Sequence, residues 1–335
     1  MAPAGEICKP DKEIVNYALN LNMGKGFQRC SVELSVLGST FNMLYGEWRS
    51  QGESLSGEPP VVLCVHGTPA TDGAFRPIAS LIAEKGFRVL AINFPGNGYT
   101  ELDSRRVYDC SINHKVALVK SFIFTLKLSS IAMAIGHSLG CTVIASVVCD
   151  PEVHGIIKSI CGICETGIVP HRGQIEAREF PRYLPYILFR AAFLPYIGPI
   201  VTFLYARMAH RLGFRGRTPK AQVMSILEGY LIDFEQYKAS LSGVAKSRIP
   251  YLYMFAMDDT IIKPGMWPTS MEALGVAEKD IKEYSEVACH SEEMFEDTTL
   301  HRVIRFSWGS HRLQFTRPET VIKEIVSLLT ALKAK

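Results

Sequence analysis

Ser138 lies at the centre of Gly136-His137-Ser138-Leu139-Gly140, directly after the apolar run Ile131 to Ile135 and directly before an apolar, helix-forming stretch from Cys141 to Cys149. A strand feeding a glycine-flanked serine that opens a helix is the setting of a nucleophile elbow, in which a sharp, strained turn exposes the hydroxyl. The flanking glycines are required sterically, because the backbone crosses itself closely there. The following helix would present its positive end to any charge that develops beside the serine. A serine hydroxyl is nonetheless a weak nucleophile. It needs a base to take its proton and a third group to hold that base in the correct tautomer.

Few residues qualify for those roles. In sheets that carry such an elbow, the order along the chain is serine, acid, histidine. His311, in Trp308-Gly309-Ser310-His311, follows the last apolar strand-like run and precedes the last helix-like one, which places an imidazole at the carboxyl edge of the sheet. His137 reads as a strand-end residue facing elsewhere, and His290 and His301 as surface residues near an acidic segment. For the acid, Ala256-Met257-Asp258-Asp259 ends the preceding strand. Adjacent carboxylates point in different directions, so one orients the imidazole and the other is free to cap the following turn. Asp259 is the favoured acid, with Asp258 and Glu165, the latter just past the run ending at Cys164, as alternatives. Val65-His66-Gly67-Thr68-Pro69 leaves an earlier strand, so the backbone N–H groups of Thr68 and Leu139 are candidates for an oxyanion hole.

The elements that must position these residues are legible as alternating apolar runs and helical patterns, the signature of a mostly parallel sheet covered on both faces. The expected strands are Val61–His66, Arg88–Phe94, Ile131–His137, Gly155–Cys164, Tyr251–Met257 and Val303–Trp308. Helices are expected over Ala74–Lys85, Asn113–Lys127 and Pro318–Lys335, the last with apolar residues at helical spacing. Upstream, Ser31–Leu37 and Thr40–Trp48 around Gly38 and Ser39 read as a hairpin adding antiparallel strands. This divides the chain into an N-terminal segment 1–27, a core formed by 28–164 and 249–335, and an inserted helical cap over 165–248. An insertion leaving the carboxyl ends of the strands lands over the ligand site.

Within the insertion, Tyr183 to Ala206 carries a single charge, Arg190, and is long enough for a membrane span. Prolines at 185, 195 and 199 oppose a span, and one crossing would also split the sheet between two sides of a membrane. An ordinary pair of cap helices is favoured over an interfacial element. From His171 to Lys220 there are nine Lys or Arg against two acidic residues, and from Met271 to Thr298 nine acidic residues against two Lys. The net charge of +3 therefore hides opposed patches. The basic one suits peripheral contact with anionic membrane, or else a solvated face or attraction between the two.

The 335 residues, 47% hydrophobic and 21% charged, are enough for a large buried core, and the mild net charge argues against nucleic-acid binding. Met1 to Lys12 has no secretory pattern, and the nine cysteines include Cys64, Cys161 and Cys164 inside apolar runs, so reduced thiols and an intracellular, cytoplasmic setting are expected. Cys161 and Cys164 form a C-x-x-C with no second pair or His cluster at ligand spacing, so no metal or redox role is expected of it, and a serine-based hydrolysis would need neither metal nor organic cofactor.

Taken together, His66-Gly67-Thr68-Pro69, Asn93-Phe94-Pro95-Gly96-Asn97-Gly98-Tyr99-Thr100, the Ser138 pentapeptide, Asp259 and His311 resemble the α/β-hydrolase superfamily over about residues 58 to 335. Thr166 to Gly173, Gly213-Phe214-Arg215 and Asp72-Gly73-Ala74-Phe75 look more narrowly like a branch known mainly from nematodes. The resemblance implies an eight-stranded core, a cap after the sixth strand and a Ser138, Asp259, His311 triad. The expected function is hydrolysis of a carboxylic ester, with a lipid or other hydrophobic acyl substrate in view. Amide or thioester cleavage and acyl transfer use the same groups, and a ligand-binding or scaffolding role without turnover is the non-enzymatic alternative. The long acidic segment between Asp259 and His311 departs from the superfamily pattern.

Overall fold

The computed structural model describes residues 23–50, 58–102, 108–170, 187, 190–192, 194, 196–211, 218–284 and 300–333. A nine-stranded sheet runs through these residues in the order β1-β2-β4-β3-β5-β6-β7-β9-β8. The strands are β1 (Phe27–Val36), β2 (Ser39–Trp48), β3 (Val61–Val65), β4 (Arg88–Ile92), β5 (Ile131–His137), β6 (Ile160–Ile163), β7 (Tyr251–Ala256), β8 (Ile281–Tyr284) and β9 (His301–Phe306).

The β1–β2 hairpin is antiparallel, and β2 also lies antiparallel to β4. Every other neighbouring pair is parallel. The hairpin turns through Leu37 and Gly38, both at positive φ, which suits the twist of the flanking strands. Eight strands are those expected. The ninth, β8, arises inside the acidic segment and adds to the edge of β9. Its four residues, Ile-Lys-Glu-Tyr, offer no apolar run to announce it. They are held from outside: Lys282 Nζ donates to Glu324 Oε1 at 2.8 Å, and Tyr284 donates to the same oxygen.

The central strands β3, β6 and β7 are buried along their whole length, as a sheet covered on both faces requires. On one face lie α1 (Arg76–Glu84) and α9 (Pro318–Lys333), which bury Ile78, Ile82, Val321, Ile325 and Leu328. On the other face lie α2 (Ile112–Thr125), α3 (Leu139–Val148), α6 (Phe234–Ser247) and α7 (Trp267–Leu274). Ser111 and Asp233 cap α2 and α6 by accepting from His114 N and Gln236 N. The short α8 (Leu313–Thr316) precedes α9.

Between β6 and β7 the described helices are α4 (Gly198–Arg211), α5 (Pro219–Tyr230) and α6. The last covers the sheet, packing on α3 through Ser146 and Ser240, whose hydroxyls lie 3.1 Å apart. Helix α5 is fastened by a buried cluster: Lys115 Nζ donates to Glu228 Oε1 at 2.6 Å, and Asn97 Nδ2 donates to the same oxygen at 3.1 Å. Most of 171–195 and the stretch 212–217, including Arg215 and Arg217, lie outside the described residues, as do His290 and most of the acidic segment. No helix among the described residues is long and apolar enough to cross a membrane.

Candidate active site

Strand β5 delivers Ser138 into a turn where its φ is 53° and ψ −123°, a left-handed conformation that a residue with a Cβ adopts at a cost. The turn is possible because its surroundings are stripped of side chains. A Cβ on Gly140 would come within 2.0 Å of Val65 O, and one on Gly67 within 2.7 Å of Ser138 Cβ. The turn is pinned by Ser138 N donating to Ile163 O at 3.0 Å. Ser138 is the N-cap of α3, and Leu139 is its first helical residue. The amide N–H of a first-turn residue has no intrahelical acceptor, so Leu139 N–H is directed outward at the dipole's positive end.

The loop after β3 brings Gly67 against the elbow. His66, immediately before it, is buried and bridges two loops, with Nδ1 2.6 Å from Gly67 O and Nε2 3.1 Å from Phe94 N. The Phe94 amide can only donate, so Nε2 accepts and the ring proton sits on Nδ1, donating to Gly67 O. Gly67 C=O and Thr68 N–H belong to one planar peptide and point in opposite senses. Fixing the carbonyl therefore fixes the direction of the Thr68 N–H. The sequence identifies this loop but gives no sign of how His66 orients it.

Asp259 and His311 come together with His311 Nδ1 2.7 Å from Asp259 Oδ2, both residues buried. A carboxylate only accepts, so the imidazole proton lies on Nδ1 and Nε2 carries the free lone pair. The second carboxylate oxygen, Asp259 Oδ1, accepts from Ile261 N at 2.8 Å and Ile262 N at 2.9 Å. Asp259 thus caps the following turn as well as holding the imidazole, so the expected division of labour with Asp258 is corrected. Asp258 Oδ1 instead accepts from Gly309 N at 2.8 Å and Ser310 N at 2.7 Å, in the loop that carries His311.

That loop has further anchors. Thr316 Oγ1 donates to Gly309 O at 2.6 Å, and Cys164 Sγ lies 3.6 Å from Ser310 O. Burial, reinforced by the nearby Asp259 charge, pushes the Cys164 thiol well up, so it stays protonated and donates. His137 does not face elsewhere as the sequence suggests. Its Nε2 lies 2.8 Å from His311 O, and its ring centroid is 5.2 Å from that of His311. Burial, with His311 the next contribution, lowers the His137 pKa to about 3, so the ring is neutral and donates from Nε2. His301 is exposed at the start of β9.

Glu165, just past β6, is bonded to Tyr237 rather than to His311. Its Oε2 accepts from the Tyr237 hydroxyl, and burial raises its pKa. Among the described residues, the grouping within reach of a common metal ion is Cys164, Asp259 and His311. Two of its three donor atoms already share a proton, and the third is a protonated thiol. Every described cysteine is a free thiol.

A mostly parallel sheet with an elbow serine after β5, an acid after β7 and a histidine after β9 defines an α/β-hydrolase fold. The chain belongs to the family described as alpha/beta hydrolases of unknown function (DUF1057), whose model matches residues 42–330. It is similar to the uncharacterized protein F35H12.5 of Caenorhabditis elegans, 22% identical over 289 residues that cover 81% of this chain and 77% of that one. Among solved structures, a haloalkane dehalogenase from Bradyrhizobium elkani superposes with a TM-score of 0.62 at 15% identity, covering 92% of this chain and 99% of that one. A protein of Acinetobacter baumannii assigned as a lipase gives 0.61 at 16% identity, covering 99% and 100%. These structural likenesses concern the fold.

Proposed function

We propose that the protein is a serine hydrolase that cleaves a carboxylic ester through an acyl-enzyme. The observation that carries this reading is the 2.7 Å contact between His311 Nδ1 and Asp259 Oδ2, on the sheet edge where Ser138 caps α3 in a strained turn. In this scheme His311 Nε2 takes the Ser138 proton as Oγ attacks the ester carbonyl, and Asp259 stabilises the imidazolium. The oxyanion forms against the amides of Thr68 and Leu139. Collapse expels the alcohol, protonated by His311, and leaves an acyl-serine. Water, deprotonated by the same Nε2, then releases the acid and restores Ser138.

Displacement of a halide through an alkyl-ester intermediate requires a carboxylate at the elbow tip, and here that position is a serine. The reading is tested by labelling with a fluorophosphonate probe. The folded protein reacts, Ser138→Ala does not, and an acyl-chain-length series of esters reports the size of the acyl site. A folded wild-type protein that neither labels nor turns over any ester of the series overturns it.

A further inference from the structure

Of the thirteen large apolar side chains exposed among the described residues, seven fall between 187 and 204. Single exposed hydrophobics are ordinary, whereas a concentration of them marks a surface that meets something. On α4, Ile200, Phe203, Leu204 and Arg207 are all exposed, the spacing of one helix face. Gly198 and Thr202, toward the other side, are buried. An ordinary surface helix turns its apolar stripe to the core, and α4 turns it out. Leu194, Tyr196 and Ile197 continue the patch into the preceding turn, Tyr196 at 91% exposure.

Charge selects the occupant. Between Glu179 and Glu228 the chain has no acidic residue and seven Lys or Arg, of which Arg190 and Arg207 are exposed among the described residues, Arg207 on the same face of α4 as the apolar side chains. A second copy of the same face would bring basic groups against basic groups. An interface that accepts apolar side chains in its interior and cations at its rim is an anionic lipid surface. No described helix is built to cross a bilayer, so the element lies on it.

We propose that α4 and the turn before it dock the protein on an anionic membrane surface, with Ile200, Phe203 and Leu204 below the headgroups and Arg190 and Arg207 against lipid phosphates. The proposal does not rest on the role given to Ser138.

The test is sedimentation of the full chain with phosphatidylcholine vesicles with and without phosphatidylserine. Turnover of a soluble short-chain ester and thermal unfolding are followed on the same preparations. The wild type binds the anionic vesicles and is released by salt. Ile200→Ser/Phe203→Ser lowers partitioning by on the order of a hundredfold. Arg190→Gln/Arg207→Gln weakens binding about tenfold, and only on anionic vesicles. Both variants keep wild-type unfolding and soluble-ester turnover. The proposal is overturned by a wild type that does not bind, by a serine variant that binds equally, or by a lipid-free dimer abolished by Ile200→Ser/Phe203→Ser. Loss of ester turnover in every preparation would instead count against the hydrolase reading and leave vesicle binding to be judged on its own.

Discussion

Asp259→Asn separates the electrostatic role of the acid from its structural one. The side chain keeps its shape, and one of its oxygens must remain an acceptor, because Ile261 N and Ile262 N point at Oδ1 from 2.8 and 2.9 Å. Turning the amide over would leave both N–H groups facing a donor, at about 1–3 kcal/mol for the buried one at Ile262. The asparagine oxygen therefore occupies the Oδ1 position, and its NH2 faces His311 Nδ1. That nitrogen must then accept, so the ring proton moves to Nε2 and points at the serine it should deprotonate. The expected loss is about 10⁴-fold in kcat, or about 5.5 kcal/mol of barrier, for a wrong-tautomer imidazole with intact geometry. The two backbone bonds survive, so thermal unfolding should be little changed. The assay pairs the rate of fluorophosphonate labelling with turnover of a soluble ester. Activity within about tenfold of wild type, in a protein of wild-type stability, would refute the reasoning, because the tautomer argument predicts a loss of order 10⁴.

Glu165→Gln provides the contrast. Its carboxyl is engaged by Tyr237 rather than His311, so labelling is expected to stay within about threefold of wild type, well short of the loss from removing an orienting acid. A collapse comparable to that of Asp259→Asn would move the triad acid to Glu165. His137, with a folded pKa near 3 against an ordinary value of 6.5, binds fewer protons folded than unfolded between those pH values. Stability is therefore full above the unfolded pKa and falls as pH drops below it, by at most about 1.4 kcal/mol per pH unit from this group. Denaturant midpoints from pH 7 to 5 should fall less steeply in His137→Gln, and parallel slopes would exclude the histidine as the cause. Glu228→Ala strands the Lys115 ammonium, which is 1% exposed, and should cost about 3–5 kcal/mol in denaturant unfolding, whereas the paired Lys115→Met/Glu228→Leu recovers most of it.

The sequence carried the inner strands and the elbow clearly because each is specified locally. Val61 to Val65 and Ile131 to Ile135 are continuous apolar runs, and the Ser138 turn leaves no room for a side chain at Gly140. Asp259 and His311 could be ranked because chain order and strand ends leave few candidates. What was not legible is specified by contacts between distant segments. Strand β8 exists through pairing with β9 and tethers to Glu324, and no residue inside Ile281–Tyr284 encodes that. The choice between Asp258 and Asp259 depends on which carboxyl meets residues about fifty positions later. The apolar run before residue 206 was visible, but its period of 3.6 does not reveal whether the apolar stripe of α4 faces inward or out. Only the packing of Thr202 and the exposure of Phe203 decide that.

Sheet order explains why the histidine loop carries so many anchors. His311 follows β9 and Ser138 follows β5, and the order β5-β6-β7-β9 places two strands between them. At about 4.8 Å per strand, the ends of β9 and β5 lie roughly 14 Å apart, more than a histidine side chain can reach. The loop must therefore lean back across the sheet edge, and each strand end it crosses contributes one hold. Asp258, after β7, takes the amides of Gly309 and Ser310. Cys164, after β6, lies against Ser310 O, and His137, at the end of β5, reaches His311 O. His137 reads from the sequence as facing elsewhere and Asp258 as an alternative acid, yet with Cys164 they form a series of tethers on the His311 loop from β7 to β5. A loop bridging three strand spacings without them would sample positions in which His311 Nε2 faces solvent, and under the proposed function the imidazole would lose the orientation that Asp259 alone, bound at a single ring nitrogen, cannot impose.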